Sequence, residues 1–305
     1  MDKNFTKALV SRYEHVKTQR DNWNSHYQEL ADYMLPRKAD VVKSRSKGDK
    51  RMELIFDSTA LQAVDLLSSS LHGMLTSGAM PWFHLDLKEE NLGRDDDVKE
   101  WLQDTSMRMM RAFNQSNFGT EVHEMYVDLV VFGTGCMFVE MEEDALRFST
   151  RHISEFYVQE NQFGIVDTVF RSYKSPARQV VQRFGQENVT EYIMKKFQDK
   201  PDEDIELLHI VMPREDRDSE KIDNKNMPFA SIYIDMESSS MLSESGFQEF
   251  PYIVPRFLKA TGEIMGRSPA MVALPDVKML NLMSKTIIQA AQKQIDPPLL
   301  VPDDG

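Results

Sequence analysis

The chain has 305 residues, of which 41% are apolar and 28% are charged, the ordinary balance of a folded globular protein. Its 49 acidic and 36 basic side chains give a formal charge of −13, which argues against a surface that grips nucleic acid or anionic lipid through bulk electrostatics. A single cysteine excludes an intrachain disulfide, no stretch is apolar enough for a membrane span, and the N-terminus lacks the apolar core of a signal peptide, so we expect a reducing cytoplasm.

The first part of the chain has the periodicity of amphipathic helices. Apolar residues spaced three, four or seven apart predict a helix over residues 5–34, and Pro36 ends it. A second helix is predicted over residues 57–76, with Thr59 and Gln62 spaced as a capping box. Alternating apolar and polar residues then predict a strand over residues 81–88. Apolar periodicity predicts two more helices, over residues 95–114 and 120–132.

Between the first two helices lies a basic segment, residues 36–51, with seven Lys or Arg against two Asp. It lacks periodicity, so we predict an exposed loop. Two interpretations stay open: a solvated connection, or a contact site for DNA phosphates or an acidic partner, because a local basic run on an acidic protein focuses positive potential. The residues predicted to make such contacts are Arg37, Lys38, Lys43, Arg45, Lys47, Lys50 and Arg51.

The middle of the chain predicts sheet. CMFVEM and LRFST flank EEDA as the two arms of a hairpin. In SPARQVVQRFG, Ser175 is predicted to cap a short helix, with Pro176 in the first helical position and Gly185 at the exit. Further strands are predicted over residues 164–173, 205–212 and 230–236, another short helix over residues 188–197, and an edge strand over residues 250–257. The predicted class is α+β: a helix-rich N-terminal half, mixed or antiparallel sheet with short helices in the middle, and a long C-terminal helix.

The last forty residues predict that terminal helix, beginning at Ser268 and Pro269. Pro275 lies inside it, so we expect a kink or a fresh start there. A narrow apolar line beyond Pro275 suits neighbours on either side better than a deep core, although a helix folded back on its own domain stays an alternative. The residues of this line, predicted as oligomer contacts, are Val277, Leu280, Ile287, Ala291 and Ile295.

No motif nominates an active site. There is no GxxxxGK[ST] loop, no HExxH and no GxSxG, and GTGC at residues 133–136 has the wrong element order for a dinucleotide fingerprint. Cys136 is predicted to be a small buried residue rather than a nucleophile. His123, Glu124 and Asp128 come nearest to a metal-ligand cluster. We therefore predict no catalytic residue, no cofactor, no metal and no membrane partner.

The order of several segments resembles the portal, or head-to-tail connector, proteins of short-tailed tailed bacteriophages. RYEHVKTQRDNWNSHYQELADYMLPRK is followed by LTSGAMPWFHL and SNFGTEVHEMYVDLVVFGTGCMFVE, and the chain closes with GRSPAMVALPDVKMLN and DPPLLVPDDG. Each segment alone is a weak signal, but the succession spans nearly the whole sequence. The matching positions of the opening segment are Arg12, Arg20, Trp23, Tyr33, Pro36 and Arg37.

The resemblance implies a structural protein rather than an enzyme, with residues 1–265 as a wing-like domain, 266–295 as a stem helix and 296–305 as the start of a clip region. Family members form a ring of twelve copies at one capsid vertex, through which double-stranded DNA is packaged and ejected, and they continue well past this point of the sequence. The implied partners are terminase, tail adaptor, capsid and scaffolding protein, with DNA passing through without sequence-specific binding.

The same resemblance implies a location in the virion, and in the host cytoplasm during assembly. Two other functions stay open at this point. One is another phage head-tail adaptor or a scaffold-interacting structural protein, which would have the same α+β pattern without the ring. The other is a metal-dependent nuclease built from clustered carboxylates, which would require metal-bridging carboxylates that the spacing does not indicate.

Overall fold

A computed structural model describes residues 3–43, 48–88, 95–142, 145–218, 220–221 and 223–296. The helices are α1 (Lys3–Met34), α2 (Thr59–Leu75), α3 (Asp96–Gln115), α4 (Phe118–Phe132), α5 (Ala177–Phe184), α6 (Glu191–Asp199) and α7 (Pro269–Ile295), and a 3-10 turn covers Pro36–Lys38. The strands are β1 (Met137–Glu142), β2 (Ala145–Thr150), β3 (Phe156–Glu160), β4 (Val166–Pro176), β5 (Asp204–Pro213), β6 (Phe229–Asp235), β7 (Ser240–Phe247) and β8 (Tyr252–Ile253). The predicted α+β class is confirmed. Within the described ranges, no helix is both long and apolar enough to cross a bilayer.

The strands form two antiparallel sheets. The large sheet has the order β3-β4-β5-β6-β7, so each strand pairs with the next one along the chain. The small sheet has the order β2-β1-β8. The short edge strand predicted in FPYIVPRF is therefore confirmed, and it brings the chain back to the small sheet just before α7.

Helix α1 packs against both sheets. Its first half buries Leu9, Tyr13 and Val16 in a cluster with side chains of the large sheet. Its second half buries Tyr27 and Leu30 in a separate cluster with α4 and the small sheet. Each buried side chain of this size stabilises the fold by about 1.5–3 kcal/mol. Because α1 contributes such side chains to both clusters, it joins the part of the domain around the large sheet to the part around α4 and the small sheet.

Arg20 fixes the middle of α1. Its buried guanidinium donates to the carbonyl oxygens of Ile153, at 2.7 Å, and Phe156, and lies 3.8 Å from the ring centroid of Tyr157. Burial lowers the pKa of Arg20 from its usual value. A buried cation without partners would be costly, and the two carbonyls and the aromatic ring offset that cost.

The strand predicted over residues 81–88 is wrong. That segment pairs with no strand in the part of the chain that the structure describes. Trp82 instead stacks on Phe118 of α4, with ring centroids 5.8 Å apart, and the backbone N–H of Leu85 donates to Ser106 Oγ of α3 at 3.0 Å. The alternating pattern reflects an extended segment that packs on helices.

Two predicted helix starts are also wrong. At α2, Thr59 is the first helical residue rather than the cap predicted for it. Its backbone N–H donates to Asp57 Oδ1 at 3.0 Å. Ser175 and Pro176 belong to the end of β4, where they pair with β5, and α5 therefore begins at Ala177. In the second case, sheet pairing outweighs the local preference for a Ser-Pro helix start.

Candidate assembly and DNA-contact surfaces

Helix α7 begins in a joint that ties it to the end of α4. Ser268 Oγ accepts from the backbone N–H of Met271 at 3.0 Å and donates to the carbonyl oxygen of Val131 at 2.8 Å. The predicted Ser268 cap is confirmed, and the same oxygen also satisfies a carbonyl at the end of α4. The N–H of Gly266 donates to Thr134 Oγ1 at 2.8 Å, which adds a second link across the joint.

Two glycines allow the backbones to meet at this joint. Gly133 ends α4 with a φ of 78°, a conformation that glycine adopts without steric cost. A Cβ atom on Gly133 would overlap the carbonyl oxygen of Gly266, and a Cβ atom on Gly266 would overlap that of Gly133. The GTGC motif is therefore a site of close backbone approach that sets the direction in which α7 leaves the domain.

The first half of α7 packs on its own domain. Ala270 and Leu274 are buried in the main core, and Val277 packs against the same core. Pro275 lies within one uninterrupted helix, so the fresh start predicted there is wrong, and a bend of the helix axis stays a prediction. Burial on either side of Pro275 offsets the hydrogen bond that proline cannot make. The alternative of a helix folded back on its domain thus holds for this half.

Asn281 links the middle of α7 to the segment before α2. Its Oδ1 accepts from the backbone N–H groups of Phe56, at 2.7 Å, and Asp57, at 3.2 Å, and its Nδ2 donates to the carbonyl oxygen of Leu54 at 2.7 Å. One side chain therefore satisfies three backbone groups. Sequence analysis does not predict this role, because a single amide within a helix has no periodic signature.

The distal half of α7, residues 282–295, lies outside the core. Ile287 is 66% exposed, Ile295 is 85% exposed and Ala291 is exposed as well, and so is Leu280 just before this half. The apolar surface is wider than the narrow line predicted, because it also includes Met279, Leu282, Met283 and Ile288. A contiguous exposed apolar surface of this kind marks an interaction site. Of the five predicted contact residues, only Val277 faces its own core.

The start of the basic segment forms ion pairs with α4. Arg37 Nη2 lies 2.9 Å from Glu124 Oε2, and Lys38 Nζ lies 2.8 Å from Glu124 Oε1 and 2.6 Å from Asp128 Oδ1. The side chain of Lys38 is 12% exposed. Lys38 therefore contributes mainly to the fold, whereas Arg37 keeps an exposed side chain beside its carboxylate partner.

Burial and charge act differently on the two carboxylates of this cluster. Burial raises the pKa of Asp128 to about 6, and the charge and hydrogen bond of Lys38 only partly oppose it. Burial also acts to raise the pKa of Glu124, but Lys38 and Arg37 outweigh it and leave that pKa below its usual value. Asp128 Oδ2 is buried without a hydrogen-bond partner among the described residues, which is consistent with the cost of its charge.

The rest of the basic segment is partly paired. Lys43 Nζ lies 3.3 Å from Asp32 Oδ2, and Arg51 Nη1 lies 2.7 Å from Asp40 Oδ2. Lys50 is exposed. Two of the predicted contact residues, Arg45 and Lys47, lie outside the described residues. Contact of this segment with DNA or an acidic partner stays a prediction, which the exposed Lys43 and Lys50 fit better than Arg51, whose side chain is mostly covered.

The sequence candidates for a reactive or metal-binding site lie in positions that serve the fold. Cys136 is fully buried, and burial raises the pKa of its thiol. Glu124 and Asp128 face Lys38, whereas the His123 ring contacts α2, so the three do not converge. Among the residues that the structure describes, no group of three or more His, Cys, Asp or Glu could hold a metal ion.

These features define a class of protein. A domain built around two antiparallel sheets carries a terminal helix whose first half is fixed by a glycine joint and whose second half exposes apolar side chains. Such a chain is suited to a structural role in an assembly, because an exposed apolar surface of this kind is typical of an interaction site.

Comparison with known proteins identifies the family. The family described as "Bacteriophage head to tail connecting protein" matches residues 6–304, and the chain belongs to it. It is 33% identical over 301 residues to the "Probable portal protein" of Bordetella phage BPP-1, which covers 97% of this chain and 54% of the relative. It is 35% identical over 303 residues to the "Portal protein" of Salmonella phage epsilon15, with the same two shares. The resemblance inferred from the sequence is confirmed, and the chain spans about half the length of these relatives.

Proposed function

We propose that this chain is the wing and first stem helix of a phage portal subunit, and that the full-length protein forms a ring at a capsid vertex through which double-stranded DNA passes. The observation that carries the proposal is the exposed apolar surface of the distal half of α7, in a chain whose relatives are named portal proteins. The exposed half of α7 is long enough and apolar enough to pack beside other helices.

The proposed boundaries follow the joint at the start of α7. Residues 1–265 are the wing, 266–295 are the stem helix, and 296–305 begin the clip. The close approach of Gly133 and Gly266 supports the first boundary, because it is where the chain leaves the sheets and α7 begins. Residues 297–305 lie outside the described residues.

The charge of the chain suits a passive conduit. Each phosphate contact strengthens a salt-dependent grip on DNA, so a channel through which DNA must slide benefits from few such contacts. A formal charge of −13 meets that need, with the exposed lysines of the basic segment as local exceptions. We propose a structural, non-enzymatic subunit of the virion, assembled in the host cytoplasm, with terminase, tail adaptor, capsid and scaffolding protein as partners and twelve copies in the ring.

The proposal is tested by replacing Ile287 with Asp in the full-length protein. Gln289→Asp is the matched control, because it adds the same charge two residues away on the opposite side of the exposed helix. A carboxylate in an apolar contact between subunits is costly, so Ile287→Asp is expected to lower the fraction of protein in rings at least tenfold.

Mass photometry measures the assembly, and particle images show whether the assemblies are rings with a central hole. Wild type and Gln289→Asp are expected to form the same rings. Rings of unchanged abundance in Ile287→Asp would show that the distal half of α7 is not a subunit contact. A wild-type protein that stays monomeric would refute the proposed function as a whole.

A further inference from the structure

The turn between β3 and β4 presents apolar side chains to solvent. Phe163 is 76% exposed, and Ile165 two residues later is also exposed. Leu258 is exposed on the neighbouring segment, whose next residue, Lys259, bonds to this turn. We call Phe163, Ile165 and Leu258 the apolar tip. Its residues are absent from the packed clusters of the domain, so they do not contribute to its core.

The turn is held in one conformation from within. Asn161 Oδ1 accepts from the backbone N–H groups of Phe163, at 2.9 Å, and Ile165, at 3.1 Å. The backbone N–H of Asn161 donates to the carbonyl oxygen of Ile165 at 2.9 Å, and Gly164, with a φ of 72°, closes the turn. The side chains that point outward therefore stand on a fixed backbone.

An ionic cluster braces the same turn from the side. Lys259 Nζ donates to the carbonyl oxygen of Gly164 at 3.1 Å and to both carboxylate oxygens of Glu160, at 2.7 and 2.8 Å. Arg256 donates to Glu160 as well, and to the carbonyl oxygen of Gly164 at 3.3 Å. A rigid turn loses little conformational entropy on binding, and exposed aromatic side chains on rigid backbone act as interface anchors.

A groove of matching character lies between α2 and α7. Ala60 and Ala63 form one wall, Ala270 and Ala273 form the other, and Val130 of α4 lies between them. The cavity has a volume of about 210 Å³ and its lining is almost entirely carbon. Small side chains on both walls leave room for a large side chain from outside. Met34, Leu67 and Val277 also line the groove, and the exposed Leu66 adds apolar surface to α2.

The charges of the two surfaces are complementary. The brace of the tip contains Arg256 and Lys259 against Glu160, an excess of one positive charge. The groove adjoins the exposed Asp276 of α7, next to the lining residue Val277, and α2 contains no Lys or Arg. Complementary charge at the rim of an apolar contact favours one docking partner over others.

We propose that the apolar tip of one subunit inserts into the α2–α7 groove of the adjacent subunit. The inference rests on the proposed ring, in which every contact joins two different surfaces of the same chain. The tip belongs to the large sheet and the groove belongs to the helices, so the two surfaces are distinct. Phe163 fills the groove, while Ile165 and Leu258 cover its edge.

The test places the photo-crosslinking residue p-benzoylphenylalanine at position 163 of the full-length protein, where its aromatic ring resembles that of Phe163. Assemblies are formed from a mixture of isotope-labelled and unlabelled copies, irradiated, digested and analysed by mass spectrometry. Crosslinks between copies are expected to residues 60–67 or 270–277. The same residue at exposed Gln186, on the loop between α5 and α6, is the control and is expected to leave the groove unlabelled.

A second measurement uses assembly itself. Phe163→Ala is expected to raise the protein concentration needed for half-maximal ring formation at least tenfold, whereas Ala at the neighbouring exposed Gln162 leaves it unchanged. Rings that form with crosslinks elsewhere, or only within one copy, overturn this inference and leave the proposed function standing. Rings that tolerate Phe163→Ala also overturn it. Failure of the wild type to form rings overturns both proposals.

Discussion

Replacement of Asn281 by Leu is expected to release the segment before α2 from the middle of α7. The change removes two hydrogen bonds donated by the backbone of Phe56 and Asp57 and one accepted by Leu54. A hydrogen bond contributes about 1 kcal/mol net, and a buried group left without a partner costs about 1–3 kcal/mol. Because these groups are only partly buried and water can replace some partners, we expect the free energy of unfolding to fall by about 2–3 kcal/mol.

Hydrogen exchange tests this expectation residue by residue. The amides of Phe56 and Asp57 are expected to exchange at least tenfold faster in Asn281→Leu, and urea unfolding measures the accompanying loss of stability. Asn281→Asp is the control, because it keeps the acceptor for both amides and loses only the donor to Leu54. Unchanged protection of the two amides in Asn281→Leu would refute the role assigned to this side chain.

Two further predictions concern charged residues. The folded pKa of Asp128, about 6 against an ordinary 3.8, means that the folded protein gains stability from protonation of this group as the pH falls between those values. Relative to Asp128→Asn, wild type should gain up to about 3 kcal/mol between pH 7 and pH 4 in urea unfolding, and parallel pH profiles would contradict this. Joint replacement of Lys43, Arg45, Lys47 and Lys50 by Ala is expected to weaken DNA retention by rings and to flatten its salt dependence. Retention and packaging equal to wild type would eliminate the basic segment as a DNA contact.

The sequence predicts elements whose pattern is local and long. The predicted start of helix α1 is two residues from the observed start, and its predicted end is correct. The β1–β2 hairpin follows from the two apolar runs on either side of EEDA. Strands β3 and β7 were missed. In β7, SMLSESGF has little apolar alternation, and the segment becomes a strand because β6 supplies its backbone partners. Pairing of that kind depends on residues elsewhere in the chain and leaves no local signal.

The candidate surfaces show the same division. The apolar line of α7 was visible in the sequence, whereas its two halves, one packed and one exposed, depend on how far the core reaches. The positive charge of Lys38 was visible, but its partner Asp128 lies ninety residues later. The glycines at 133 and 266 have meaning only as a pair in contact. Non-local contacts decide which of the predicted residues remain available to a partner.

The length of α1 has a mechanical consequence. Its 32 residues form a rod of about 48 Å at 1.5 Å per residue. Arg20 fastens the middle of the rod to the chain beside the large sheet, and Glu29, in its last two turns, forms an ion pair with Lys278 of α7. A load applied to α7 therefore reaches the sheet through a stiff strut rather than through loops. The large sheet and the first half of α7 are accordingly expected to move together when α7 is displaced.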